Sequence, residues 1–271
     1  MGVKIFITGG TGFIGTPLVK KLQERGHFLK LLSCDLAETE KWKKEIEEFK
    51  PDAAVHLAWE GLPDYGVEMS KKNIKYSLDL FNFLKEMGCK TVLSVGSAFE
   101  KTNPEDIFPV AKKIVNFWGK AVIENFIWAR IFYVYGPGQR ETSLIPYLIR
   151  CAKKGENPEI NNPLAQQDYI YIDDVAEALA LLLEKSEKSK EYEIGWGKLI
   201  PNQEIVNIVA KEFSIKDWQK NIEKLEKSEF VRPAENSGLK AMGWEPKISI
   251  EEGIQKMINH YSPSPVLRDE D

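Results

Sequence analysis

Four glycines in nine residues, Gly9, Gly10, Gly12 and Gly15 in ITGGTGFIG, are the first residues whose type and spacing point to chemistry. They follow an apolar run and precede a helix-like stretch. Gly10 permits a tight turn, Gly12 lets main chain approach a pyrophosphate, and Gly15 lets helix and strand pack closely. Gly9 extends the usual three-glycine form. The helix that follows would aim free N–H groups and a positive dipole end at the phosphates. Other residues exclude other chemistries. Cys34, Cys89 and Cys151 are odd in number and far apart, so neither a metal site nor a disulfide framework is expected. His27, His56 and His260 form no Ser/His/Asp constellation; His56 lies in an apolar run and reads as a packing residue.

The elements that must position this loop alternate. Val3 to Thr8 reads as a buried strand, Pro17 to Arg25 as a helix closed by Gly26, and Phe28 to Ser33 as a second strand. Thr39 is a candidate cap for a helix with the stripe Trp42, Ile46 and Phe49, stopped by Pro51. Ala53 to Ala58 is a third strand. A long helix with Ile74, Leu78, Phe81 and Leu84 on one side ends at Gly88, and Thr91 to Val95 is a fourth strand. Strand and helix in strict alternation imply an α/β fold with a parallel sheet covered on both faces. Further on, Asn125 to Val134 reads as one strand, Ser143 to Lys153 as a helix, Asn202 as a cap, and Ser249 with Glu252 as a capping box. Net charge is −4, which argues against nucleic acid as a partner. No apolar run reaches membrane-spanning length and no signal peptide opens the chain, so a soluble cytoplasmic protein is expected. Residues 1–135 are expected to bind dinucleotide, with a strand and helix added from about 165–195. Residues 136–262 would be mainly substrate-binding, and 263–271 a frayed tail.

The stretches TGGTGFIG, KPDAAVHLAW, RIFYVYGPGQ, DYIYIDDVAEAL and MGWEPKISIEEGI, with Asn73 on the third helix, together resemble the extended short-chain dehydrogenase/reductase family. These are the NAD-dependent nucleotide-sugar epimerases, dehydratases and reductases. The resemblance runs over nearly the whole chain. It implies a Rossmann-type doubly wound sheet with a smaller C-terminal substrate part, a nicotinamide cofactor and a nucleotide-sugar substrate. Gly9, Gly12, Phe13, Ile14 and Gly15 would hold the cofactor phosphates, and Leu57 and Ala58 would line its cleft. Asp35 and Leu36 match an Asp-hydrophobic pair that meets the adenine; Asp35 could equally grip the ribose 2′-hydroxyl or merely introduce a helix. No arginine follows the second strand to hold a 2′-phosphate, so NAD is expected, with NADP not excluded.

The family's chemistry uses a Ser or Thr on the sugar oxygen, a Tyr that exchanges the proton and a Lys four residues later. The alignment puts Ser97 and Lys112 in two of these places; Ser97 also reads as a small strand-end residue. Phe108 stands where the tyrosine should be, and a phenyl ring has no exchangeable proton. Tyr65, Tyr133, Glu100 or a lysine-bound water are candidates to replace it. Gln167 and Arg232 match the places where substrate phosphates are held, although Gln167 supplies an amide where the family has an arginine. Two readings follow: an enzyme transferring hydride at a sugar carbon, or a cofactor-binding relative that senses redox state or acts in an assembly. Val110, Ile114, Phe117 and Trp118 form a stripe for a homodimer or for the sheet.

Overall fold

The apolar run near the N-terminus becomes β1 (Lys4–Thr8), in which Ile5, Phe6 and Ile7 are fully buried. The structure, a computed structural model, describes residues 2–261 apart from 104, 161, 187, 217 and 219–231; the expected tail 263–271 lies outside the described residues. After β1 come α1 (Gly15–Glu24), β2 (Phe28–Leu31), α2 (Thr39–Phe49), β3 (Ala53–His56), α3 (Val67–Glu86) and β4 (Thr91–Ser97). The short α4 (Phe99–Thr102), α5 (Ile107–Val122) and β5 (Asn125–Ile131) follow. The remainder comprises β6 (Tyr133–Tyr135), α6 (Leu144–Lys154), β7 (Gln166–Gln167), β8 (Tyr169–Tyr171), α7 (Ile172–Lys185) and β9 (Lys190–Ile194). It closes with β10 (Ile200–Pro201), α8 (Asn202–Glu212), α9 (Ser237–Ala241) and α10 (Ile250–Tyr261).

Six strands form one parallel sheet in the order β2-β1-β3-β4-β5-β9. Burial on both faces explains why its strands read as continuous apolar runs. Ile5, Ile7, Val55, Leu93 and Ile127 meet α1 and α7 on one face. Phe6, Ala54, Val92, Phe126 and Trp128 meet α2, α3 and α5 on the other. A separate cluster gathers Tyr135, Leu148, Tyr171, Ile205 and Ile254 from β6, α6, β8, α8 and α10. The chain leaves β1 for β2 on one side and then, through α2, returns to β3 on the other. The strand order therefore reverses between β1 and β3, and the crevice beyond their carboxyl ends is the ligand-binding place of such sheets.

Local expectations differ from the structure where the chain leaves the sheet. The run from Asn125 is not one strand: β5 stops at Ile131, Phe132 N–H turns to the Ile194 carbonyl, and β6 pairs with β8 instead. Neither Thr39 nor Asn202 caps its helix; each is the first helical residue, and the Asn202 side chain reaches Tyr169 and the Asn162 carbonyl. The capping box does form, with Ser249 and Glu252 each accepting the other's backbone N–H. The stripe Val110, Ile114, Phe117 and Trp118 turns away from the sheet, which receives Ala111 and Val115 from α5.

Candidate functional site

At the end of β1 the chain turns at Gly9, whose φ of +70° suits glycine. A Cβ there would lie 2.7 Å from the Ala58 nitrogen, so loop and third strand touch through bare backbone. Gly12 N–H bonds the Gly9 carbonyl at 3.1 Å, and a Cβ on Gly15 would collide with that same oxygen. Gly12 itself is exposed, leaving main chain open to a ligand. Phe13 and Ile14 bridge towards the C-terminal cluster, and Ile14 precedes the first turn of α1. This cradle fits a dinucleotide pyrophosphate at a helix N-terminus.

The neighbouring strand end is pinned by a buried relay. His56 Nδ1 lies 2.7 Å from Thr8 Oγ1 and its Nε2 2.9 Å from Ser77 Oγ. Ser77 donates to the Asn73 carbonyl, so it accepts from Nε2–H and leaves Nδ1 to accept from Thr8. Burial, aided by the Lys112 charge, pushes the His56 pKa down to about 3. The ring is thus a neutral structural link between β1, β3 and α3. Leu57 N–H continues it by bonding the Thr8 carbonyl. Asn73 then fixes the following loop: its Oδ1 accepts Glu60 N–H at 2.7 Å, and its Nδ2 donates to the Glu60 and Met69 carbonyls.

That loop carries Trp59 to Lys112 and Tyr65 to Phe108. Lys112, on α5, is buried and donates from Nζ to the Val95 carbonyl at 3.1 Å, two residues before Ser97 on β4. Its ammonium lies 3.7 Å from the centroid of the Trp59 ring, a cation–π contact. Burial pushes its pKa down to about 7 against an opposing pull from the Glu100 charge. The Trp59 Nε1 is buried with no hydrogen-bond partner among the described residues. Phe108 packs in an aromatic group, with ring centroids 5.5 Å from Trp59, 4.9 Å from Tyr65 and 6.4 Å from Phe99. Ser97 ends β4 with its Oγ accepting Phe99 N–H at 3.3 Å.

Glu100 is bound elsewhere. It accepts Ser97 N–H at 2.8 Å, Trp128 Nε1–H at 3.2 Å and Arg130 Nε–H at 3.0 Å. Arg130 continues to Glu191, which also meets Asn116 and Lys120 of α5. The sequence named Glu100 as a candidate proton carrier but not the network that ties it up, and the sign of Trp59 was a bulky indole directly after the HLA stretch. Asp35 is exposed at the approach to α2 and accepts Ala37 N–H at 2.7 Å, while Leu36 accepts from Trp42 Nε1. Gln167 lies in a two-stranded ribbon, paired with Ile200. Arg232 makes a two-pronged ion pair with Glu193 at the end of β9. The structure thus brings Gly9, Gly12, Gly15, Leu57 and Ala58 together at one strand end, and Ser97, Phe108 and Lys112 at the next. Asp35 lies at the approach to α2, Gln167 on the β7–β10 ribbon and Arg232 against Glu193 of β9.

Residues 5–195 match the model of the NAD dependent epimerase/dehydratase family. CDP-abequose synthase of Salmonella muenchen is 27% identical, covering 94% of this chain and 97% of that protein. A dTDP-glucose 4,6-dehydratase from Bacillus anthracis, solved with NAD, superposes with a TM-score of 0.83 at 19% identity, covering 96% of each chain. A UDP-glucose 4-epimerase from Thermotoga maritima, solved with UDP-glucose, gives 0.80 at 21%, covering 95% of this chain and 98% of that one. With a glycine cradle at the sheet's switch point and a lysine-bearing helix beside the next strand end, the chain belongs to the NAD dependent epimerase/dehydratase family.

Proposed function

We propose that the protein transfers hydride at a carbon of the sugar in a nucleoside-diphosphate sugar, using NAD. One observation carries this reading: Lys112 hangs from the Val95 carbonyl beside Ser97, on the strand next to the one whose end abuts the glycine cradle. Two relatives or neighbours that span the same length are CDP- and UDP-sugar proteins by name, which supports the substrate class. NAD, when bound, supplies the hydride exchange itself. The chain does the rest. Gly9, Gly12 and Gly15, with Phe13 and Ile14, seat the pyrophosphate; Leu57 and Ala58 line the cleft; Asp35 and Leu36 stand at its adenosine end. Lys112 holds ribose hydroxyls, and the Ser97 hydroxyl orients the reacting sugar oxygen.

Among the family's reactions, oxidation, reduction and epimerisation fit better than loss of water. Elimination needs a further acid–base pair. Glu100, the carboxylate nearest Ser97 in sequence, is held by Arg130 and Trp128. In residues 136–262, which we assign to the substrate, Arg232 meets a phosphate by exchanging Glu193 for it, and Gln167 offers an amide to the same substrate. The exposed stripe Val110, Ile114, Phe117 and Trp118 of α5 supports a homodimer, and the free cysteines at 34, 89 and 151 support a reducing compartment such as the cytoplasm. Among the described residues no helix is long and apolar enough to cross a membrane.

Phe108 favours a second reading, a cofactor-binding relative without turnover. Incubation with NAD and a panel of CDP-, UDP- and dTDP-sugars separates the two. Nicotinamide absorbance changes or label exchange at a sugar carbon are expected. Tight NAD binding with neither signal would leave the second reading, and no NAD binding by calorimetry would sink both.

A further inference from the structure

A carbonyl oxygen needs a proton as hydride reaches its carbon, and Phe108 cannot give one. Four other groups come into question, and three of them are tied up by their contacts. Glu100 is buried and bonded to Ser97 N–H, Trp128 and Arg130. His56 is fully enclosed between Thr8 and Ser77. The Tyr133 ring packs on Tyr169 at 4.8 Å, and burial raises its pKa. The Lys112 ammonium is roofed by Trp59. Tyr65 differs from all four. It is 41% exposed, and its ring centroid lies 4.9 Å from that of Phe108 at an interplanar angle of 60°. Its loop is not loose, because Asn73 clamps Glu60, Asp64 N–H bonds the Gly61 carbonyl and Gly66 N–H bonds the Asp64 side chain.

We infer that Tyr65 is the proton carrier of this site, its phenol held against Phe108 in place of the hydroxyl that Phe108 lacks. The inference rests on the hydride-transfer reading. In the reducing direction the sugar carbonyl carbon takes hydride from the reduced nicotinamide, which is oxidised. The carbonyl π pair moves to oxygen and takes the Tyr65 O–H proton. The product hydroxyl forms, and the phenolate regains a proton from water on its exposed side. Ser97 orients the same oxygen, and Phe108 acts as the shelf for the Tyr65 ring.

The full-length protein tests this in two ways. Without turnover, tetranitromethane nitration mapped by mass spectrometry should mark Tyr65 in the free protein, and NAD with UDP-glucose as probes should shield it. With turnover, Tyr65→Phe should lower kcat about 100-fold or more while leaving NAD affinity unchanged. Adding Phe108→Tyr to that variant should restore at least about tenfold of the loss, because the phenol returns beside Lys112. Wild-type kcat in Tyr65→Phe, equal nitration with and without the probes, or loss of NAD binding in the variant overturns the assignment. A wild type that turns over no nucleotide sugar overturns the hydride-transfer reading instead, and the nitration arm still decides whether Tyr65 faces the site.

Discussion

At Lys112 burial and charge pull in opposite directions. An ammonium out of water is costly, and here the Val95 carbonyl, the Trp59 ring face and the Glu100 charge compensate it in part. Burial accordingly brings its pKa down to about 7. A lowered folded-state pKa on a base has a definite sign. Between about pH 7 and the ordinary lysine range near 10.5, the unfolded chain holds a proton that the folded one has released. Folding stability from this residue therefore rises with pH through that window. Lys112→Met removes the titration. Urea denaturation should show wild type gaining on the variant from pH 7 to 10, and the variant should lack hydride transfer. A pH-independent difference would mean that Lys112 does not titrate where burial puts it. The Phe108 substitution is the other residue-scale departure: three aromatic rings crowd the place, so it is a packed position rather than a vacancy left by a lost tyrosine.

α5 faces three ways at once. One side brings Phe108 and Lys112 to the site, a second offers Asn116 and Lys120 to Glu191 on β9, and the third is exposed. Burial of Glu191 works against its charge, but hydrogen bonds from Lys120 and Asn116, with Arg130, outweigh it and hold its pKa near 2. The stabilisation is present above the ordinary range near 4.5 and is lost as pH falls from there towards 2. The Tm gap between wild type and Glu191→Gln should be constant above about pH 5 and close at lower pH; a gap that persists at pH 2 would assign it to packing. Much of this element level was legible. The glycine motif is a statement about backbone, so GGTGFIG announces itself without side-chain partners, and Gly26 and Gly88 end their helices as expected. The break at Phe132 was not legible, because a strand that switches sheets stays apolar on both sides of the switch. Nor was the roof over Lys112, which depends on a loop folded back by Asn73 and on no local pattern.

For the molecule as a whole, the exposed apolar face of α5 is a surface the fold does not use. Phe117 is 74% exposed, and Trp118 beside it is tied to Asn82 of α3. A soluble monomer rarely leaves such a patch open. Ile114→Glu with Phe117→Glu should convert a dimer to monomers in sedimentation velocity, with the melting profile of each protomer retained. A wild type that sediments as a monomer would remove this surface from consideration. The β2 border of the sheet behaves differently. There the sheet simply ends at β2, a four-residue strand with Lys30 at its centre, 3.3 Å from Glu45. Unpaired main chain along a border is a template for copies to stitch onto, and a short rung bearing a charge is a poor one. The short outermost rung and its charge therefore keep the border from recruiting strangers, and Lys30→Val would be the change that invites them.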